Sequence, residues 1–216
     1  MGSGGLWQRQ AAALTSDMAS LDFWFDFAST YSYPAAMRVA PLACDAGVTV
    51  RFRPFLLGPI FKAQGWDNSP FNVYEAKGRY MWRDLERLCE SQGLPFRKPD
   101  PFPQHSLLAA RTALVAQDEG CGDDFCRAVF QAEFGEGKQI NDPSVIESIL
   151  RRLNRDPQAL LARAQSNEIK NRLRADTEAA IRRGIFGAPT FIAPDGELFW
   201  GNDRLEQALA WAARKS

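Results

Sequence analysis

Apolar and polar positions along the chain follow two periods. Residues 21–27 read LDFWFDF and residues 48–54 read VTVRFRP. Both runs are short, rich in aromatic or β-branched residues, and bounded by turn-forming residues, which predicts strands. Between them PAAMRVAPLACDAG spaces its apolar residues by three and four. It begins on Pro34 and stops at Gly47, which predicts a helix, with Pro41 marking a kink or an early break. A strand, a helix and a strand in succession favour a parallel pair with a right-handed crossover. The next stretch, 54–72, is rich in Gly, Pro and Asn and predicts a loop with at most one helical turn. Residues 74–93 return to helical spacing and end at a glycine, and the proline-rich 94–104 predicts an extended connector. Three amphipathic segments with polar starts follow, and 156–184 predicts one long helix or two abutting ones. The period changes again at 187–201, GAPTFIAPDGELFWG, where Pro-Asp-Gly between two short apolar runs predicts a hairpin. NDRLEQALAWAARK then predicts a closing helix capped by Asn202 or Asp203.

The element order is β-α-β, a large helical middle, then β-β-α. That is the thioredoxin order interrupted by an insertion too long to be a loop. The expected fold is therefore α/β: a thioredoxin-like domain from residues 21–58 and 180–216, with an inserted all-helical domain at 59–179. Residues 1–20 are Gly-, Ser- and Ala-rich and read as a flexible leader; they lack the charged and apolar regions of a signal peptide.

Composition narrows the function classes. The 216 residues are 45% hydrophobic and 24% charged, with a formal net charge of +0, so neither nucleic acid nor an anionic membrane is indicated. No apolar run is long enough to span a bilayer. His105 is the single histidine, which leaves no room for a histidine-based metal site and argues against a Ser–His–Asp triad; it reads as a solvated residue at a helix start. Cys44, Cys89, Cys121 and Cys126 form no Cys-x-x-Cys pair. Cys44 and Cys89 lie on apolar helical stripes and read as buried thiols, and a reducing cytoplasm is the expected compartment.

Three constellations carry candidate chemistry. The first is Ser29-Thr30-Tyr31-Ser32 at the strand-to-helix junction, where a thiol–disulfide enzyme would carry two cysteines. A helix start offers unpaired N–H groups and a partial positive charge, so it favours an anion. A serine hydroxyl does not ionise there and has no base beside it. Its best chemical use is to donate to a sulfur anion brought by a ligand; the plain alternative is that Ser29 caps the helix. The second is Ala188-Pro189 before a strand, where a cis proline would leave the preceding backbone open to an extended ligand. The third is Trp200-Gly201-Asn202-Asp203-Arg204, a turn opening the last helix.

FDFASTYSY resembles the corresponding segment of 2-hydroxychromene-2-carboxylate isomerases and the related kappa-class glutathione transferases. GAPT followed by WGNDR, and KGRYMWRDLERLCESQGLPF, are similar to the same family, so the resemblance covers about residues 21–212. It implies glutathione as the cofactor and Ser29 as the catalytic residue. It places the glutathione contacts at Ala188, Pro189, Trp200, Gly201, Asn202 and Asp203. It puts Asn68, Asn72 and Lys77 near a loop over the cleft, and with Tyr31 and Phe102 these form the expected substrate-binding set. Trp66 and Phe71 join them as candidates for an apolar wall, and Arg53 and Lys62 as candidates for a substrate carboxylate. The family usually has proline where this chain has Thr30, whose hydroxyl would add a donor or a cap. The family is often dimeric, and a homodimer is the assembly expected from it. The expected function is glutathione-dependent isomerisation of a small conjugated aromatic substrate. Conjugate-releasing transfer and a non-catalytic glutathione- or peptide-binding module are the alternatives, and disulfide exchange is disfavoured by the missing sulfurs.

Overall fold

The computed structural model describes residues 19–66 and 70–214. Strand β1, Ala19–Phe25, is one of the two inner strands of a four-stranded sheet. It pairs parallel with β2, Val48–Pro54, and antiparallel with β3, Thr190–Ile192. β3 in turn pairs antiparallel with β4, Leu198–Trp200. Alternation along β1 sends Leu21, Phe23 and Phe25 to one face and Trp24 to the other, and both faces are buried. The register sets Phe23 opposite Phe52 on one side and Phe191 on the other. These rings pack at 5.0 Å and 5.2 Å between centroids, so the middle of the sheet is aromatic.

Helix α1, Ser32–Ala46, starts two residues before Pro34 and runs through Pro41 without a break in its assignment. It stops at Gly47, whose φ of 66° and backbone N–H close the last turn onto Ala43 and Cys44. The segment expected to be mostly loop carries two helices instead, α2 (Leu57–Ala63) and α3 (Pro70–Val73). Ile60 of α2 is buried against Trp24 and Phe55, and that tertiary contact outweighs the local Gly and Pro content. Helix α4, Glu75–Ser91, matches its expected range within two residues.

The middle continues with α5 (Leu107–Asp118) and α6 (Gly122–Phe130), which passes into a π-helical turn at Gln131–Gly135. Then come α7 (Pro143–Arg152), α8 (Pro157–Ala164) and α9 (Asn167–Arg182). Asp142, Asp156 and Ser166 accept hydrogen bonds from the first-turn N–H groups of α7, α8 and α9, as their positions before Pro or Asn suggest. The 156–184 stretch is thus two abutting helices. Helix α10, Leu205–Arg214, closes the chain.

The helical middle shares one hydrophobic core with the sheet: Phe25 packs on Phe130 at 5.5 Å, and Phe27 on Phe130 at 5.0 Å. Cys89, Cys121 and Cys126 are buried and free, whereas Cys44 is exposed: it falls on the outer side of α1, one residue past the buried Ala43. Among the described residues no helix is long and apolar enough to cross a membrane.

Two carboxyl groups lie inside this core. Burial raises the Asp26 carboxyl above its ordinary range, although the Leu57 N–H, the Ser106 hydroxyl and the Ala28 N–H all favour its charged form. Burial pushes the Glu133 carboxyl much further, and the nearby Asp26 charge adds to the rise. Neither oxygen of Glu133 has a hydrogen-bond partner among the described residues. The folded protein therefore keeps a proton that the unfolded chain releases above the ordinary value of 4.5, so this group makes stability fall as pH rises through and beyond that value. Glu133→Gln, neutral at every pH, is expected to raise Tm at pH 8 and to leave a smaller gap from the wild type at pH 5. Thermal unfolding at the two pH values checks this, and an equal or lower Tm at pH 8 would count against a protonated Glu133.

Candidate active site

The junction between β1 and α1 is a tight turn. The Ser29 N–H donates to the Asp26 carbonyl at 2.9 Å, and the Ser32 N–H to the Ser29 carbonyl at 3.1 Å. Ser29 does not cap α1. The N-cap position is Tyr31, with no side-chain capping bond, and the Ser29 hydroxyl points across the fold to donate to the Ala188 carbonyl at 2.8 Å. The reason is tertiary: Ala188 stands before Pro189 in a cis peptide, at the entry to β3 beside β1. The first turn of α1 holds no acidic side chain, so its positive end is not offset from within the helix.

The third constellation joins the same place. The Gly201 N–H donates to the Pro189 carbonyl at 3.0 Å. Gly201 has φ 113° and ψ 150°, a conformation that suits glycine. Residues Asn202–Arg204 form a single 3-10 turn before α10, so neither Asn202 nor Asp203 makes the expected side-chain cap. Asn202 is buried, 5% exposed, and its side-chain oxygen has no partner among the described residues. Such an atom costs free energy unless a ligand or water satisfies it. Asp203 is exposed and pairs with Arg204 at 3.1 Å. Two backbone-directed bonds, from Ser29 to Ala188 and from Gly201 to Pro189, thus tie all three sequence constellations together.

Trp200 is half exposed and packs at 4.9 Å on Phe186, an exposed ring that the sequence reading did not single out. The indole lies so close to Gly187 that a Cβ there would sit 2.5 Å from Nε1. Tyr31 is half buried; its hydroxyl donates to Asp84 at 2.9 Å, and burial, then the Asp84 bond, raise the phenol far above its usual range. Its ring faces Phe71 of α3 at 6.5 Å, and Trp66 packs on Tyr74 at 5.9 Å. Lys77 is exposed, with its ammonium over the Tyr74 ring.

Phe102 packs edge-on against Trp82 at 4.7 Å and leans on the main core. Arg53 is paired with Asp22, at 3.2 Å, and Lys62 is exposed on α2. Asn68 lies outside the described residues, as does the side chain of Asn72. Thr30 adds no donor to the junction: it is buried, and its hydroxyl bonds the Met81 sulfur of α4 at 3.3 Å. His105 is exposed ahead of α5, as expected. Among the described residues no group of histidine, cysteine and carboxylate side chains could hold a metal ion.

The model of the DSBA-like thioredoxin domain matches residues 20–210. A 2-hydroxychromene-2-carboxylate isomerase of Pseudomonas putida is 31% identical over 199 residues, covering 91% of this chain and 97% of the relative. The chain belongs to the DSBA-like thioredoxin family, in the group of 2-hydroxychromene-2-carboxylate isomerases and kappa-class glutathione transferases. A solved 2-hydroxychromene-2-carboxylate isomerase superposes with a TM-score of 0.82 at 31% identity, covering 91% of this chain and 95% of that one. Glutathione S-transferase kappa 2 of Caenorhabditis elegans is 28% identical, covering 88% of this chain and 90% of its own length. The expected thioredoxin-like fold with a helical insertion is thereby established for this member of the group.

Gly187→Ala is expected to push the Trp200 indole off the cis-proline loop at a cost of about 1–2 kcal/mol. The change would appear as a shift in tryptophan emission together with a lower urea midpoint. An unshifted spectrum at wild-type stability would mean that Trp200 does not depend on this close approach.

Proposed function

We propose that the protein is a glutathione-dependent isomerase of the 2-hydroxychromene-2-carboxylate type. The observation that carries this reading is the Ser29 hydroxyl, buried to 9% exposure at a helix start and aimed at the Ala188 carbonyl that precedes the cis proline. The residues fit glutathione: a helix start for an anion, a donor hydroxyl, an extended backbone edge at Ala188–Pro189, and the unpartnered Asn202 oxygen for a ligand N–H. Bound glutathione would supply a thiolate able to add reversibly to a conjugated carbon, so that a former double bond can rotate before elimination.

The chain's own part is positional and electrostatic. Ser29 has one hydroxyl proton, shared between the Ala188 carbonyl and any anion placed at the α1 start. A charge-assisted bond is the stronger of the two, so the hydroxyl turns toward the sulfur and favours thiolate over thiol. Asn202 and Asp203 meet the γ-glutamyl end in this reading, with Trp200 and Gly201 shaping the turn. Tyr31, with Phe71 and Trp66, walls an apolar site for an aromatic substrate. Asn68, Asn72, Lys77 and Phe102 stay in the proposed substrate-facing set. A homodimer in a reducing cytoplasm is the accompanying proposal.

The kappa-class relatives keep a second reading in view, in which the conjugate is released rather than eliminated. A stable adduct after incubation with glutathione and a model electrophile would select it. A non-catalytic binding module would take up glutathione without acidifying it. Mixing the protein with glutathione at neutral pH should increase the ultraviolet thiolate band. Ser29→Ala should abolish most of that increase and lower turnover by roughly 10²–10³-fold, with glutathione affinity by calorimetry changed only a few-fold. An unaltered thiolate band in the variant would remove Ser29 from the chemistry.

A further inference from the structure

Asp26 sits three residues before Ser29, and no feature of the proposed chemistry uses its side chain. It is almost fully enclosed, yet its carboxylate gathers donors from three separate parts of the chain. Oδ1 accepts from the Ala28 N–H at 3.1 Å and from the Ser106 hydroxyl at 2.6 Å. Oδ2 accepts from the Leu57 N–H at 2.8 Å. Its backbone carbonyl takes the Ser29 N–H at 2.9 Å. The turn that carries Ser29 is therefore pinned to the first residue of α2 and to the residue before α5, 31 and 80 positions away in the chain. Leu57 opens the segment that leads to Trp66 and Phe71 on the substrate side.

The electrostatic partner of Asp26 is Glu133 in the π-helical turn, whose carboxyl feels the Asp26 charge. Two carboxylates in one dry region do not both ionise. Asp26 has three donors, which favour its anion; the Glu133 oxygens have none. The charge thus belongs on Asp26 and the proton on Glu133.

We propose that the Asp26 carboxylate is a positioning residue for Ser29: it clamps the 26–29 turn against the starts of α2 and α5, so that the serine hydroxyl is held toward the glutathione sulfur. This rests on the reading of Ser29 as the donor to that sulfur. A displacement of the turn by about an ångström weakens a hydrogen bond that matters most when charge is present on its acceptor.

The test uses the whole protein with glutathione alone as the probe, so that no substrate need be known. In Asp26→Asn the amide NH2 would face a backbone N–H donor to donor whichever way it turns, that of Leu57 or that of Ala28. The thiolate band of bound glutathione should fall by roughly 10-fold or more, with the calorimetric Kd within about threefold of wild type. Amide exchange at residues 28–31 should rise in the protein without glutathione. Ser106→Ala removes one donor and leaves the turn's own bonds in place, so it should shift both readings the same way by a smaller factor; it also serves if Asp26→Asn does not fold. Glu133→Gln should keep the band within about twofold, since a neutral group replaces a neutral one.

A purely structural Asp26 would lower Tm in both Asp26→Asn and Ser106→Ala and leave the thiolate band and the 28–31 exchange as in the wild type, which overturns the proposal. A tenfold loss in Glu133→Gln would place the charge on the wrong carboxyl and also overturn it. If wild-type protein develops no thiolate band, the reading of Ser29 fails and this inference falls with it. If wild-type protein develops the band and the Asp26 and Ser106 variants match it, only the inference fails.

Discussion

One hydrogen bond organises the molecule's candidate site: the Ser29 hydroxyl to the Ala188 carbonyl, spanning 159 positions of the chain. It crosses from the end of β1 to the entry of β3, and through Pro189 and Gly201 it reaches the turn before α10. A serine at a helix start ordinarily spends its oxygen on the helix it precedes. Here the antiparallel pairing of β1 with β3 brings a carbonyl within reach, and the hydroxyl donates outward. The helix start is consequently left without a side-chain cap, which is the condition under which a ligand anion has most to gain there.

The helical middle supports that arrangement. Phe130 packs on both Phe25 and Phe27, immediately before the Asp26–Ser29 turn and inside it. Thr30 bonds to Met81 of α4, Tyr31 to Asp84 of the same helix, and Tyr33 donates to the Pro95 carbonyl at 2.8 Å. The junction is thus gripped from below by the core and from the side by α4 and its connector. An interior this aromatic has a low effective dielectric, which is why buried carboxyls shift as Asp26 and Glu133 do and why each donor aimed at Asp26 matters. Low dielectric also strengthens the interaction of a helix start with an anion.

Much of the architecture was legible in the chain because its signals are local. Strand runs such as LDFWFDF, the stop at Gly47 and the Pro-Asp-Gly hairpin depend on neighbours within a few residues. The proline at 189 could be named from its place before a strand and a hairpin. Features that depended on distant neighbours were not legible. Helix α2 forms in a Gly- and Pro-rich stretch because Ile60 finds a pocket against Trp24 and Phe55. Cys44 turns outward, since one helical position separates it from the buried Ala43. Phe186 gains its role beside Trp200 only once Gly187 lets the indole approach.

By itself the sequence determined the β-α-β and β-β-α ends around a helical middle, the family, and which residues stand at the strand-to-helix junction, because periodicity and short motifs are properties of contiguous chain. It also showed that sulfur is missing from the position where a disulfide enzyme needs it. Only the tertiary structure decided where the hydroxyl protons go. Ser29 turns to Ala188, Thr30 to Met81, and Ser106 to Asp26, and each partner lies at least 51 positions away. A hydroxyl takes whichever acceptor folding brings within reach, and residue spacing along the chain does not encode that distance.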